Sequence, residues 1–476
     1  MNIQRLGILS LLFQAGCLGV WPGDWQAWQD EQTIDTEDSS PDTTCADDDA
    51  DCDGFAASVD CDDTDAEVHP DAEEIPYDGV DQDCDGADLT DVDGDGFDAA
   101  EVGGEDCDDQ RDDVNPEALE IPCNDVDEDC NTTMVQDGMT ASFAASGMAP
   151  SAAQLAWDPQ QRRVLAFFGA DDDGSCSSDT LRYRAFDEGL NILADLDITP
   201  DGGFDASGAL AATSASDGSP RLVAGNACDD SLVLIEPSAT DESSWDTTPL
   251  LSRAGPVDNV EACSPSGSDD LWVAMVSSGQ LSVGTPDGSA YAWDTAPSSG
   301  GDVQGVSLAC RSSSDATVAT SNTGGLLTMN YDQDSGSFAA ADSLHRGAGA
   351  PQGAPGPDGE PWALFFEDAG ADVLGYAWQA ADGGSWTEAA IGGVGAGTGL
   401  ADSGAAVSAG GAALLALIDD GGFHLRRMDL ASGALSTWSD TSLERHYADV
   451  IVDDQDRAWY LYGSDSAYKV GVLCPE

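Results

Sequence analysis

The chain has 476 residues, of which 41% are hydrophobic and 7% aromatic, which is enough for two or more folded units and argues against global disorder. Its 91 acidic and 15 basic residues give a formal net charge of −76, which argues against nucleic-acid binding because a phosphate backbone requires a basic surface. Arg111 is the only lysine or arginine between residues 41 and 140, and carboxylates at that density repel one another unless cations or salt screen them.

The N-terminus predicts export. A short basic start is followed by an apolar stretch at residues 6–13, which has the length of a signal-peptide core and is too short to span a bilayer. Gln14-Ala15-Gly16-Cys17 resembles the bacterial lipoprotein cleavage box, so we interpret residues 1–17 as a lipoprotein-type signal peptide with Cys17 lipidated; ordinary signal cleavage is the alternative. The expected location is the outer membrane, through the lipid anchor only, or the extracellular surface.

Residues 18–44 lack periodicity and are expected to form a disordered acidic stalk. The 13 cysteines indicate an oxidising compartment. Apart from Cys17, seven lie between Cys45 and Cys130 and five between Cys176 and Cys474. Two odd-numbered groups predict either one disulfide between the two halves or two free thiols, and the pairing itself stays open.

Residues 45–139 contain an internal duplication, with copies at 45–88 and 89–133. An Asp-Cys-Asp-Asp element begins at Asp60 and again at Asp106, and each is followed by a Glu-Ile-Pro phrase, at Glu74 and at Glu120. Matched positions are 46 residues apart, a register that composition alone would not produce.

Each copy also contains two loops in which acidic residues alternate. Alternating side chains of a tight loop turn their oxygens toward one centre, and Ca²⁺ takes six to eight oxygens at about 2.3–2.6 Å. A glycine in the sixth position permits the sharp bend, and only the fourth loop lacks one, which makes it the weakest. The four loops are Asp49/Asp51/Asp53, Asp81/Asp83/Asp85, Asp91/Asp93/Asp95 and Asp127/Asp129/Asn131.

These loops are not predicted to be ordinary helix-loop-helix hands. Asp60 occupies the twelfth position of the first loop, where such a hand has an acid, but the second and third loops have Val92 and Val102 there. We therefore expect the Asp-Cys-Asp-Asp elements to complete the coordination, with disulfides replacing helices as the scaffold. Their candidate ligands are Asp60, Asp62, Asp63, Asp106, Asp108 and Asp109.

The phrases at 60–70 and 74–86 resemble the metal-binding repeat named after the copper-binding surface protein MopE, which is widespread in exported proteins of myxobacteria and their relatives. The resemblance covers roughly residues 45–131 and implies metal binding without catalysis. A cysteine is common in the family before the turn that follows Glu-Ile-Pro; Cys123 fits this pattern and Tyr77 departs from it.

Oxygen-only loops favour Ca²⁺, so we expect several calcium ions. Another divalent ion and a purely solvated acidic surface are the alternatives. Copper is disfavoured because it prefers imidazole, thioether or thiolate ligands, and this segment offers only His69, Met134 and cysteines expected to be oxidised.

Residues 140–476 predict a mainly β domain. Runs of apolar residues after turns begin near Val164, Leu222, Leu271, Thr317, Trp362, Ala413 and Ala458, with 45 to 58 residues between them. Aromatic residues recur in phase at Trp245, Trp293, Phe338, Trp386 and Trp438. This period predicts a β-propeller of six, seven or eight blades, with seven favoured, in which the segment from Thr140 to Phe143 closes the last blade. A β-sandwich pair or a β-solenoid is the alternative.

The sequence therefore predicts a small, loop-rich module stabilised by disulfides and calcium, followed by a propeller. The expected function is non-catalytic display at the cell surface, in which the propeller binds a ligand or protein. A hydrolase or lyase acting on an extracellular polymer and a copper-handling surface protein are the alternatives. The propeller histidines His345, His424 and His446 lie in different repeat units, which does not indicate a catalytic centre.

Overall fold

The computed structural model describes residues 45–118 and 120–131 and, with interruptions, residues 140–475. The predicted signal peptide, Cys17 and the stalk lie outside the described residues. The chain divides into two compact units, Met1–Val92 and Asp93–Glu476. The first repeat belongs to the first unit, which also contains residues 89–92 of the second repeat. The rest of the second repeat belongs to the second unit together with all of the described β-strands.

The described part of the second unit contains twenty-eight β-strands, arranged as seven four-stranded antiparallel sheets. In chain order, strands β2 to β25 make six of these sheets, each from four consecutive strands, which we call blades 1 to 6. The seventh, blade 7, has the order β1-β28-β27-β26. The first strand of each blade contacts the first strand of the next, and β26 contacts β2, so the sheets close into a ring. The domain is therefore a β-propeller.

The strand bounds of the first three blades follow. Blade 1 comprises β2 (Ala149–Asp158), β3 (Arg163–Asp171), β4 (Thr180–Phe186) and β5 (Ile192–Asp197). Blade 2 comprises β6 (Leu210–Ser214), β7 (Pro220–Asn226), β8 (Ser231–Pro237) and β9 (Trp245–Leu251). Blade 3 comprises β10 (Val257–Cys263), β11 (Trp272–Ser277), β12 (Gln280–Asp287) and β13 (Ala290–Thr295).

The remaining blades follow the same plan. Blade 4 comprises β14 (Val303–Cys310), β15 (Asp315–Asn322), β16 (Gly325–Asp332) and β17 (Ser337–Ser343). Blade 5 comprises β18 (Ala348–Pro355), β19 (Trp362–Asp368), β20 (Val373–Trp378) and β21 (Thr387–Ile391). Blade 6 comprises β22 (Gly404–Val407), β23 (Ala412–Asp419), β24 (Gly422–Asp429) and β25 (Leu435–Thr441). Blade 7 comprises β26 (Ala448–Val452), β27 (Ala458–Ser464), β28 (Ala467–Leu473) and β1 (Thr140–Ala144).

The predicted sequence period is visible in this arrangement. The apolar markers fall within two residues of the start of the second strand of each blade. These strands are buried because both of their faces pack against neighbouring blades. The aromatic markers fall on the fourth strand or, for Trp386, immediately before it. The predicted closing strand is confirmed, since Thr140 pairs with Gly471 and Phe143 with Tyr468.

Apolar side chains fill the spaces between blades. Where blades 7 and 1 meet, Trp459, Leu461 and Tyr468 pack against Ala166 and Phe168 in one buried cluster. The Tyr468 hydroxyl donates a hydrogen bond of 2.8 Å to the Gly169 carbonyl, so the polar end of this buried ring is satisfied.

The repeats are built differently, because almost all of their described residues lie in turns. The one helical segment described in them is a 3-10 helix, Ala100–Val102, in the second repeat. Disulfides Cys61–Cys84 and Cys107–Cys130 stand in matched positions of the two copies. The first copy has a further disulfide, Cys45–Cys52, near its start. The prediction of a disulfide scaffold is confirmed. No helix of the described residues is long and apolar enough to span a membrane.

Candidate metal centre

The first Asp loop and the first Asp-Cys-Asp-Asp element meet in space. Oxygens of Asp49, Asp51 and Asp63 lie within 4.8 Å of one another, as do oxygens of Asp51, Asp53 and Asp60. Asp49 and Asp60 are buried. Five of the predicted ligands therefore converge, and the expected closing role of the element falls to Asp60 and Asp63.

Backbone hydrogen bonds fix the geometry of this loop. The Asp49 carboxylate accepts from the backbone N–H of Cys52 at 2.7 Å and of Gly54 at 3.2 Å. The Asp63 carboxylate accepts from the Ala50 N–H at 2.8 Å, which ties the element to the loop. Gly54 has a φ of 101°, a conformation that side chains rarely adopt, so the glycine is required for the bend.

Several carboxylate oxygens of this site are buried without a hydrogen-bond partner. Asp60 Oδ1 accepts from the Asp62 N–H at 2.9 Å, while Asp60 Oδ2 is buried and unpaired, as are Asp51 Oδ2 and Asp53 Oδ2. Burial raises the pKa of Asp51 above its usual value, and the neighbouring charges of Asp53, Asp60 and Asp49 raise it further. A bound cation would satisfy these oxygens and relieve the repulsion, so the residues fit an oxygen-ligated metal ion.

The second repeat has a corresponding arrangement, but a longer segment connects its Asp loop to its Asp-Cys-Asp-Asp element. Asp60 follows Gly54 by six residues, whereas Asp106 follows Gly96 by ten. The four extra residues accommodate the 3-10 helix Ala100–Val102, and the Asp106 N–H returns to donate to the Asp98 carbonyl at 3.2 Å. The acid missing from the twelfth position of the third loop is therefore supplied by Asp106.

Asp106 is 1% exposed and repeats the pattern of Asp60. Its Oδ1 accepts from the Asp108 N–H at 2.9 Å, and its Oδ2 is buried without a hydrogen-bond partner. Burial raises its pKa, and the charges of Asp95, Asp93 and Asp109 add to the effect. Asp91, the first acid of this loop, belongs to the first unit, one residue before its end at Val92.

The second loop involves a residue that the sequence analysis missed. Oxygens of Glu74, Asp81 and Asp83 lie within 4.8 Å of one another, and Asp81 Oδ1 is buried without a hydrogen-bond partner. The Glu74 carboxylate accepts from the N–H groups of Asp83, at 2.7 Å, and Leu89, at 3.2 Å. The recurrence of Glu-Ile-Pro at Glu120 was the sequence signal that could have identified it. Asp85, predicted in this loop, is exposed.

In the fourth loop, the carboxylate oxygens of Asp129 are used in hydrogen bonds within the loop. The Asn131 amide donates to Asp129 Oδ2 at 2.6 Å, and Asp129 Oδ1 accepts from the Asn131 N–H at 3.1 Å. Both carboxylate oxygens of Asp129 are therefore engaged, and Asp127 is the remaining predicted acid of the loop. Of the other predicted ligands, Asp109 is buried, Asp108 is exposed, and exposed Asp62 accepts from the Thr64 hydroxyl.

Soft and nitrogen ligands have other partners here. The His69 ring stacks on Phe55 with centroids 4.8 Å apart, and its Nδ1 lies 2.9 Å from the Pro70 carbonyl oxygen. Cys61 and Cys84 lie beside Asp60, but their sulfurs form a disulfide and are not thiolate ligands. Met134, the other soft ligand considered, lies outside the described residues.

Comparison with known families agrees with this geometry. A family model for a copper-binding MopE-type protein, described as "Putative metal-binding motif", matches residues 60–88 and 106–134. The chain carries two copies of this motif. Both matched segments begin at the buried aspartates Asp60 and Asp106. They include the matched disulfides Cys61–Cys84 and Cys107–Cys130. No curated protein sequence matches the chain.

Solved structures resemble the propeller. The BP39L lectin from Burkholderia pseudomallei is 16% identical, with a TM-score of 0.53 over 68% of this chain and 96% of the lectin. The polysaccharide lyase Uly1 is 9% identical, with a TM-score of 0.47 over 69% of this chain and 90% of the lyase. A protein of unknown function from Dyadobacter fermentans is 10% identical, with a TM-score of 0.44 over 71% of this chain and 98% of that protein. At these identities the likeness to the lectin shows the fold alone.

Proposed function

We propose that this chain is an exported, non-catalytic surface protein in which the MopE-type repeats bind calcium and the propeller binds a ligand or protein. The observation that carries the metal proposal is the matched pair Asp60 and Asp106. Each carboxylate is more than nine-tenths buried, with one oxygen held by a backbone N–H and the other buried without a hydrogen-bond partner. An isolated buried carboxylate is costly unless a cation compensates its charge.

The donor set favours calcium over copper. The groups that converge on Asp60 and Asp106 are carboxylates, and hard oxygen ligands suit Ca²⁺, whereas copper favours imidazole and thiolate. His69 stacks on Phe55, and the neighbouring cysteines are oxidised. Among the described residues of the repeats, the buried apolar side chains are Val68, Ala99, Val114 and Pro122. Because this core is small, bound ions would supply much of the rigidity of these loops.

Isothermal titration of the chelator-treated full chain with Ca²⁺ tests the metal proposal. The double variant Asp60→Asn, Asp106→Asn should bind calcium more weakly by at least about tenfold, since even outer-shell partners of a metal ligand cost roughly 10- to 100-fold when removed. The matched control is Asp62→Asn, Asp108→Asn, which changes exposed carboxylates of the same elements. Absence of both calcium heat and a gain in melting temperature would overturn the proposal, as would tight binding of Cu²⁺ alone.

Export is supported by the signal-like N-terminus and by the disulfides, which persist in oxidising compartments. Radiolabelled palmitate incorporation that depends on Cys17 would support the lipid anchor, and a soluble secreted product without label would support ordinary signal cleavage.

Ligand binding by the propeller is supported by an open polar cavity of about 230 Å³ where blades 2 and 3 meet. Asp217, Ser219, Arg221, Glu236 and Asp269 line it, so it offers both acceptors and a guanidinium to a polar ligand. A glycan array probed with the full chain tests this proposal against Arg221→Ala. Turnover of a bound polymer would instead favour the hydrolase or lyase alternative.

A further inference from the structure

From Asp93 onward the second repeat belongs to the same compact unit as the propeller. A disulfide and a close backbone contact both join it to one place in the ring. We call this place the seam: it is blade 7, which contains the strand β1 from the start of the domain, together with the junction of blade 7 with blade 1. A propeller seam is the point at which strands from the two ends of the domain must stay paired for the ring to remain closed. Here Thr140–Ala144 pairs with Ala467–Leu473.

A disulfide ties the second repeat to the seam. Cys123 of the repeat is bonded to Cys474, the residue that follows the last strand, β28. Further along the chain, Thr140 pairs with Gly471 of the same strand. The repeat is therefore joined to β28 twice, through the disulfide and through the strand β1 that follows it in sequence.

A close backbone contact adds a second attachment. A side-chain carbon at Gly189 would lie 3.1 Å from the Glu120 carbonyl oxygen, so the repeat approaches the loop between β4 and β5 of blade 1 closely. The next residue back in that loop, Glu188, forms ion pairs with Arg162 of blade 1 and, at 3.1 Å, with Arg457 of blade 7. The repeat thus contacts the loop that bridges the two blades of the seam.

The same stretch of the repeat is held by residues of the fourth Asp loop and its neighbour Glu128. Glu120 Oε1 accepts from the Asp129 N–H at 3.1 Å, and Glu128 Oε2 accepts from the Ile121 N–H at 3.0 Å. Glu128 and Asp129 immediately precede Cys130, whose disulfide partner Cys107 directly follows Asp106. An ordered path therefore joins Asp106 to Cys123 and Glu120, the two points of attachment.

We propose that the second repeat is a calcium-dependent clasp on the propeller seam: a cation held by Asp93, Asp95 and Asp106 stabilises the paired edge of blade 7 through Cys123 and Glu120. This rests on the proposed calcium binding and adds a role that the first repeat does not share. A ligand that binds only the native arrangement suppresses its opening in proportion to ligand concentration over Kd. Opening of the seam should therefore become rarer as the second repeat fills with calcium.

Hydrogen–deuterium exchange of the full chain, with calcium and with chelator, tests the clasp. Peptides from β1 and β28 should exchange up to about 100-fold more slowly when calcium is 100 times its Kd. Asp95→Asn, Asp106→Asn should lose this protection. The matched first-repeat variant Asp53→Asn, Asp60→Asn should keep it.

Two further variants separate the clasp from metal binding itself. Cys123→Ser, Cys474→Ser should still bind calcium by titration but lose calcium-dependent protection of β28, and Gly189→Val, which leaves the disulfide intact, should reduce it. Protection that survives in Asp95→Asn, Asp106→Asn, or that persists in both attachment variants, would overturn the clasp. If the wild-type chain binds no calcium at all, the proposed function fails; if it binds calcium and β28 exchange does not respond, only the clasp fails.

Discussion

Cys123 and Cys474 form a disulfide across 351 residues of sequence and join the second metal-binding repeat to the end of the last propeller strand. The bond accounts for the odd number of cysteines in each half of the chain, since one from each group is used in it. Cys123 and Tyr77 occupy matched positions of the two repeats and share a positive φ, 74° and 67°. The repeats therefore keep the same backbone there, and the second has gained a covalent attachment.

Removal of this disulfide should destabilise the propeller more than removal of a disulfide within it. In the chain-entropy account a crosslink stabilises by restricting the unfolded chain, typically by about 2–5 kcal/mol and more for longer loops. Cys263–Cys310 joins strands of blades 3 and 4 across 47 residues and is the matched control. Guanidinium unfolding should show that Cys123→Ser, Cys474→Ser costs roughly 2 kcal/mol more than Cys263→Ser, Cys310→Ser. Equal losses would contradict this expectation.

The ion pairs of Glu188 should matter to the seam independently of the disulfide. Arg457 is 2% exposed and Glu188 12% exposed, and Arg457 also contacts Asp453 at 2.6 Å. Glu188→Gln removes one of the two charges facing this buried guanidinium, so we expect a loss of about 1–3 kcal/mol in unfolding free energy. The control is Asp113→Asn, whose partner Arg111 is 37% exposed and whose loss should be below about 0.5 kcal/mol. Losses of the same size in both variants would argue against a structural role for Glu188.

Glu74 should prove structural as well as a candidate ligand. Its carboxylate accepts two backbone N–H bonds that shape the second Asp loop, from Asp83 and Leu89. In Glu74→Gln the negative charge is lost, and the side-chain NH2 group replaces one of the two acceptor oxygens, so it faces a backbone N–H that it cannot accept from. Hydrogen exchange at the backbone amides of Asp83 and Leu89 should therefore accelerate by about 10- to 100-fold in calcium-free buffer. Glu73→Gln alters the neighbouring exposed carboxylate and should leave both amides unchanged. Unchanged exchange in Glu74→Gln would remove Glu74 from the site.

The periodic parts of this fold could be predicted from sequence. The second strand of each blade is buried on both faces, so its apolar run is visible, as at Val164 and Ala458. The closing strand at Thr140 followed from an incomplete last unit. These features recur at a regular spacing, so a pattern that would be too weak to identify one strand is recognisable when it repeats along the chain.

The relations that could not be predicted depend on the path of the chain through space. Asp106 stands ten residues beyond Gly96, and only the 3-10 turn at Ala100–Val102 shows that it replaces the acid expected at Val102. Glu74 lies outside the alternating pattern that identified the loops. The partner of Cys123 lies at the far end of the propeller, where no sequence spacing indicates it.

Two carboxyl groups on first strands of the propeller should make its stability depend on pH. Burial, reinforced by the charge of Asp449, raises the pKa of Glu261 from 4.5 to about 8, and burial raises the pKa of Asp449 from 3.8 to about 7. Because the folded state holds these protons more tightly than the unfolded chain, their contribution to stability is complete below the unfolded values. It is lost as the pH rises through the folded values.

Glu261→Gln isolates this effect, since the variant keeps the shape of the side chain without its titration. Measured in chelator, the unfolding free energy of the wild type relative to Glu261→Gln should fall as the pH rises from about 4.5 to about 8. Asp269→Asn should give a constant difference over this range, because hydrogen bonds from Ser216 lower the pKa of Asp269. The contribution of Asp269 is present above 3.8 and is lost only as the pH falls below that value. A difference between wild type and Glu261→Gln that stays constant across this range would show that Glu261 is ionised in the folded propeller, with its charge compensated by a group or ion inside the ring.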